Sequence, residues 1–182
     1  MAVKEIKTQA DLYCLFKSAL AKNPNFEGVS YSRQELEHRI GDSKKRADIV
    51  LFIKEEGKKA KPLMVIETKR SKEHETATDY NTVVVASGSE LITVREGIVR
   101  GIWDKYSYKY HLGALQQAKE YAAAINAIFY AVCYADTLFV KSFVKDSGLF
   151  YHPVLFTEEF GLRLLGEVAQ LYKKIKEIKE RT

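Results

Sequence analysis

The chain has 182 residues, 46% of them hydrophobic and 29% charged, which fills one core well and is short for two, so a single domain is expected. Three prolines, ten glycines and the absence of any Ser/Gly-rich tract or fixed-period repeat exclude linkers, collagen-like sequence and solenoids. Twenty-nine Lys and Arg against 24 Asp and Glu give a formal charge of +5, an excess that suits a polyanionic partner. The apolar runs are strand-sized, well below the roughly 20 residues of a membrane-spanning helix, and MAVKEIKTQADLY lacks the apolar core of a signal peptide. A soluble, cytoplasmic protein that makes no use of a membrane is therefore expected. Cys14 and Cys133 stand far apart and outside any Cys/His ligand spacing, so both are expected as buried thiols rather than as a disulfide or a zinc site.

In chain order, Thr8 is placed to cap a helix over 8–22, in which Leu12, Leu15, Phe16, Ala19 and Leu20 recur at helical spacing until Asn23-Pro24 ends it. Alternation around Leu36, His38 and Ile40 predicts a strand over 30–40. Two β-branched apolar runs, 47–53 and 62–67, flank a Gly- and Lys-rich segment and predict a hairpin of core strands. Segment 70–111 reads as a β-rich insertion, with strand-like pieces at 82–86 and 91–94 and tyrosines alternating at 106, 108 and 110. The alanine-dense run 112–125 predicts a helix, 127–134 and 137–144 two strands turning at Ala135-Asp136, and 158–180 an amphipathic helix. The order suggests an α/β domain with a mixed sheet and helices on its faces.

The chemistry concentrates on the hairpin. Antiparallel pairing of Asp48 with Glu67 centres the turn between Gly57 and Lys58, among the turn residues, and also pairs Val50 with Val65 and Phe52 with Leu63. Two carboxylates then meet at the end of an apolar face, and strand alternation puts Lys69 on the side of Glu67, one step of roughly 7 Å further along. Acids brought together this way repel, and a divalent cation with oxygen ligands, Mg²⁺ with Mn²⁺ as substitute, relieves the repulsion. Such an ion polarises phosphate oxygens and activates water while an ammonium group stabilises developing charge, which is the chemistry of phosphodiester hydrolysis. The bland reading is a solvated salt-bridge cluster at an ordinary strand end.

Arg46-Ala47-Asp48-Ile49-Val50-Leu51-Phe52 followed by Val65-Ile66-Glu67-Thr68-Lys69-Arg70 resembles the PD-(D/E)XK nuclease superfamily, with Ala47 where proline is often seen. Gln117-Ala118-Lys119-Glu120-Tyr121 is similar to the Gln-x-x-x-Tyr helix motif found in the nuclease domains of type I restriction enzyme motor subunits. The likeness spans the motifs and element order over roughly 8–135, without segment 70–111. It implies a restriction-endonuclease-like fold and a Mg²⁺-dependent DNA endonuclease. Asp48 and Glu67 would be metal ligands, Lys69 the catalytic lysine, and Gln117 and Tyr121 the residues beside the substrate backbone. The family commonly supplies a further acid from the first helix, where this chain reads Gln9-Ala10-Asp11, so Asp11, Glu35 and Glu37 stand as alternatives. By analogy with nucleases that pair two subunits to cut both strands, a homodimer is expected. The competing expectation is a DNA-binding or assembly module that keeps the fold without cleavage.

Outside these motifs, Trp103 to Tyr110 interleaves aromatics with cations, which describes a nucleic-acid track and a covered sheet face equally well. Lys72, Arg95 and Arg100 are usable phosphate contacts. The four histidines show no metal-ligand spacing, and no Gly-rich phosphate loop is present.

Overall fold

The computed structural model describes residues 3–69, 108–134, 137–144, 147–151 and 154–180. Within them the chain is mixed α/β: helix α1 (Val3–Leu20), strands β1 (Asn25–Phe26), β2 (Val29–Arg39), β3 (Arg46–Glu55) and β4 (Lys61–Lys69), helix α2 (Tyr108–Ala124), strands β5 (Phe129–Tyr134), β6 (Thr137–Ser142) and β7 (Gly148–Tyr151), and helix α3 (Glu158–Glu180). The seven strands form one sheet in sequential order, antiparallel throughout except where β4 and β5 run parallel. A parallel pair needs a crossover, and α2 lies between those two strands in sequence.

The helices divide between the faces. Leu12, Leu15, Phe16 and Ala19 of α1 and Leu164, Leu165, Val168 and Tyr172 of α3 share one buried cluster with Ile49, Leu51, Ile53, Met64 and Ile66. On the other face Leu115, Ala118, Tyr121 and Ala122 of α2 pack with Val50, Phe52, Val65, Tyr130 and Val132. Small residues set the close approaches: a side chain at Gly161 of α3 would lie 3.1–3.2 Å from Leu15 and Ala19 of α1. The sheet curls toward α3: Tyr31 of β2 donates to Leu165 O (2.8 Å) and Tyr151 of β7 donates to Glu167 Oε2 (2.5 Å), so strands near opposite edges of the sheet meet one turn of that helix. No helix among the described residues is long and apolar enough to cross a membrane.

Local chemistry explains the boundaries. Asn23, at φ 49°, ends α1 before Pro24, as the sequence predicts. Helix α1 begins at Val3, so Thr8 is not a cap but a buried residue inside the helix; Lys4 to Lys7 contain no breaker and extend the helix back past it. Glu27 and Gly28, both at positive φ, make a two-residue turn between β1 and β2, a hairpin that the sequence reading does not anticipate. Helix α2 closes with Asn126 at φ 59° and Ala127 N–H bonded to Ala122 O at 2.8 Å. Thr157 Oγ1 accepts the N–H of Phe160 and starts α3.

Three further expectations are corrected. Tyr108 and Tyr110 belong to the first turn of α2 rather than to a strand, since the helix starts four residues before the alanine-rich run and tolerates Gly113; the rest of the insertion, 70–107, lies outside the described residues, as does the turn at 135–136. Cys14 is exposed while Cys133 is buried, because Cys14 sits off the apolar stripe of α1. The short strand β7 pairs with β6 beyond the last predicted strand.

At the far end of β3, Glu55 accepts hydrogen bonds from Lys176 Nζ (2.6 Å), Lys58 Nζ (2.7 Å) and Tyr172 Oη (2.8 Å). The bonds from Lys176 and Lys58 outweigh desolvation and, with Tyr172, hold its carboxyl down to about 2. A depressed carboxyl adds stability that is fully present above the ordinary Glu value and is lost as pH falls toward about 2. Urea titrations should lose about 1–3 kcal/mol between pH 5 and 2 from this group, and Glu55→Gln should flatten that part of the profile. Gly148 offers a second test, since a Cβ there would meet Val140 O at 2.6 Å. Gly148→Ala should cost about 1–3 kcal/mol in urea unfolding.

Candidate active site

Strand β3 is buried along most of its length, and the pattern Ala47-Asp48-Ile49-Val50-Leu51 places a single acid among residues that are otherwise fully buried. Pairing with β4 aligns Ile49 with Ile66, Val50 with Val65 and Leu51 with Met64; the same register carried one step past the last aligned pair sets Asp48 against Glu67. The predicted pairing of Phe52 with Leu63 is not made: a bulge shifts the register between Leu51 and Phe52, and Phe52 aligns with Pro62. Proline cannot donate to the ladder, so an interior strand accommodates it at such an irregularity. The extra residue sends Leu63 to the α1/α3 face, where it is buried beside Met64. The bulge lies on the turn side of Leu51, so the register at the acids is untouched.

The two carboxylates have different surroundings. Glu67 is only 2% exposed, and its Oε1 accepts a long hydrogen bond from Asp48 N–H at 3.4 Å. Asp48 is half-buried; its Oδ2 accepts both the N–H of Thr68 (2.8 Å) and the hydroxyl of Thr68 (2.9 Å). Thr68 is fully buried, so both of its donors are committed to this one oxygen and orient the carboxylate. The chain between Glu67 and Lys69 is thus part of the site, a role that strand alternation does not suggest.

Helix α1 and strand β2 complete the surroundings. Gln9 Nε2 donates to Glu37 Oε1 (3.0 Å) and to Asp48 O (3.4 Å). Glu37 faces Asp48 across the ladder, between the aligned pairs Leu36–Ile49 and His38–Ala47. Of the three alternatives for a further acid, Glu37 is therefore the one that shares a hydrogen-bonding partner with Asp48. Glu35 is engaged by Arg33 (2.9 Å) and by His38 Nδ1; desolvation raises its carboxyl, and those two partners together reverse that and leave it lowered. Glu37 holds φ at 49°, uncommon for a residue other than glycine and costly by about 1–3 kcal/mol. The irregularity turns His38 to the side of Glu35 and Phe52, whose ring it meets edge-on.

On α2, Gln117 Nε2 donates to Tyr121 Oη at 2.8 Å, and Tyr121 is buried in the cluster that contains Val50, Val65 and Val132. The predicted pair therefore sits over the face toward which Val50 and Val65 point. Lys69 closes β4, its backbone aligned with Tyr134 of β5; its side chain, and the cations at 72, 95 and 100, lie outside the described residues. Among the described residues no three His, Cys, Asp or Glu side chains cluster as a metal site. The oxygen donors that the β3–β4 register brings together are the carboxylates of Asp48 and Glu67; one or two carboxylates completed by water is the way hard divalent cations such as Mg²⁺ are commonly held. Comparison with protein-family profiles, with curated proteins and with solved structures finds no match for this chain.

Thr68→Val keeps the shape and the backbone donor but removes the hydroxyl bond to Asp48. It should lower stability by about 0.5–1.5 kcal/mol in urea unfolding, with Thr68→Ser close to wild type. Equal stability of all three would show that the hydroxyl contributes nothing to holding Asp48.

Proposed function

We propose that the chain is a metal-dependent deoxyribonuclease that hydrolyses DNA phosphodiester bonds at Asp48 and Glu67, on a restriction-endonuclease-like fold. The observation that carries this reading is the β3–β4 register, which sets a held carboxylate opposite a buried one at the end of the sheet, beside the parallel strand β5. The order α1, β2, β3, β4, α2, β5 agrees with the element order that the sequence motifs imply.

In this reading Asp48 and Glu67 hold Mg²⁺ or Mn²⁺, which when bound neutralises charge on a phosphate oxygen and acidifies water. Thr68 orients Asp48, and burial of Glu67 keeps competing water from its carboxylate. Lys69 contributes its positive charge to the developing negative charge on the phosphate. Gln117, bonded to the buried Tyr121, would stand beside the DNA backbone, with Tyr121 fixing its position. Pairing of two subunits would cut both strands.

A second reading, a DNA-binding or assembly module without cleavage, draws on Gln9. The residue that α1 extends toward Asp48 is an amide rather than an acid, so it donates to Glu37 instead of adding a ligand.

Incubation of plasmid DNA with the purified chain and Mg²⁺ or Mn²⁺ separates the two. Cleavage is expected, abolished by EDTA and reduced by about a hundredfold or more in Asp48→Ala, Glu67→Ala and Lys69→Ala. Wild-type protein that binds DNA yet leaves every substrate intact supports the second reading.

A further inference from the structure

The tip of the β2–β3 hairpin, residues 39–46, carries four cations and one acid: Arg39, Asp42, Lys44, Lys45 and Arg46. All five are exposed. Arg39 and Arg46 are aligned across the ladder, an arrangement in which like charges destabilise the pairing. None of the four cations takes part in an ion pair among the described residues. They differ in this from the lysines at the opposite end of β3, where Lys58 and Lys176 both form ion pairs with Glu55.

The loop is also built to hold its shape. Ile40 N–H bonds to Lys45 O (3.0 Å), Ser43 N–H and Oγ both bond to Ile40 O (3.2 and 2.6 Å), and Lys45 N–H bonds to Ser43 Oγ (3.2 Å). Arg39 donates to the carbonyls of Ser43 (3.0 Å) and Asp42 (3.3 Å), which fixes its guanidinium without neutralising it. Arg46 donates to Glu37 O (3.3 Å), and Glu37 faces Asp48. Along β3, Arg46 precedes Asp48 by two residues, about 7 Å. A net charge of three over residues 39–46, held in place by these bonds and without an ion pair of its own among the described residues, therefore borders the paired acids.

We propose that the tip of the β2–β3 hairpin is a binding site for the phosphate backbone of duplex DNA, beside the acids Asp48 and Glu67. Successive phosphates relieve the repulsion that the fold retains between Arg39 and Arg46, and contacts of this kind set register without reading sequence. The inference takes its ligand from the nuclease reading, but binding is measurable without cleavage.

The test uses fluorescence anisotropy of a labelled DNA duplex in EDTA at several salt concentrations, with the full chain. Lys44→Glu/Lys45→Glu should bind at least about tenfold more weakly and lower the salt slope by about 2, at roughly 0.9 per phosphate contact. The control, Lys59→Glu/Lys174→Glu, makes the same charge change at exposed lysines away from the hairpin and should bind as wild type. Thermal melts of both variants confirm folding. Equal weakening in both pairs, unchanged binding in the hairpin variant, or no binding by wild type would overturn the proposal. Loss of binding in the hairpin variant, from a wild type that never cleaves, leaves the hairpin site standing and removes the nuclease reading alone; cleavage with unaltered binding does the reverse.

Discussion

The alignment of Ile49 with Ile66 and Val50 with Val65 is the constraint on which the candidate site depends. A slip of one residue between β3 and β4 would turn every side chain of one strand to the opposite face, burying an acid under α1 and α3 and exposing Ile49 or Ile66. Two apolar clusters, one on each face, make that slip costly, because Ile49, Leu51 and Ile66 fill one while Val50 and Val65 fill the other. The carboxylates are thus held opposite each other by apolar packing on both sides of the sheet. Like charges set against each other across a ladder destabilise it, and Thr68 commits two donors to Asp48.

The helices convert that register into surroundings with different roles on the two faces. On the α1/α3 side, Gly161 admits α1 against α3, and the tyrosines of β2 and β7 fasten the curled sheet to α3. On the α2 side, small residues Ala118 and Ala122 lie against Val50 and Val65, with Tyr121 buried alongside. Helix α1 spans both roles, since its apolar stripe enters the core while Gln9 reaches the carbonyl of Asp48. A chemically unusual end of the sheet is therefore supported by an ordinary core, and the Glu55 cluster secures the other end of β3.

Most of the framework was legible in the sequence where physical signals were local and strong. The alternating and continuous apolar runs located β3 and β4, Asn23-Pro24 ended α1, and the pairing of Asp48 with Glu67 followed from the turn residues around Gly57. What remained hidden depended on nonlocal geometry. The register shift at Phe52 arises because Pro62 cannot join the ladder as its neighbours do, and nothing in a symmetric hairpin argument specifies where the bulge absorbs it. Strand alternation directs the Thr68 side chain away from that of Glu67, yet its backbone N–H and hydroxyl both serve Asp48. Glu37 could not be preferred over Asp11 or Glu35 by spacing, because the left-handed residue that redirects β2 there is not glycine and gives no sequence signal. The early start of α2 at Tyr108 was masked by tyrosines whose alternation resembles a strand.

The central claim is that Asp48 and Glu67 form one cation site, and crystals soaked in Mn²⁺ and measured at the manganese absorption edge test it most directly. The account predicts an anomalous peak ligated by both carboxylates. A peak elsewhere on the chain, or the two side chains turned apart with no density between them at saturating Mn²⁺, would contradict it.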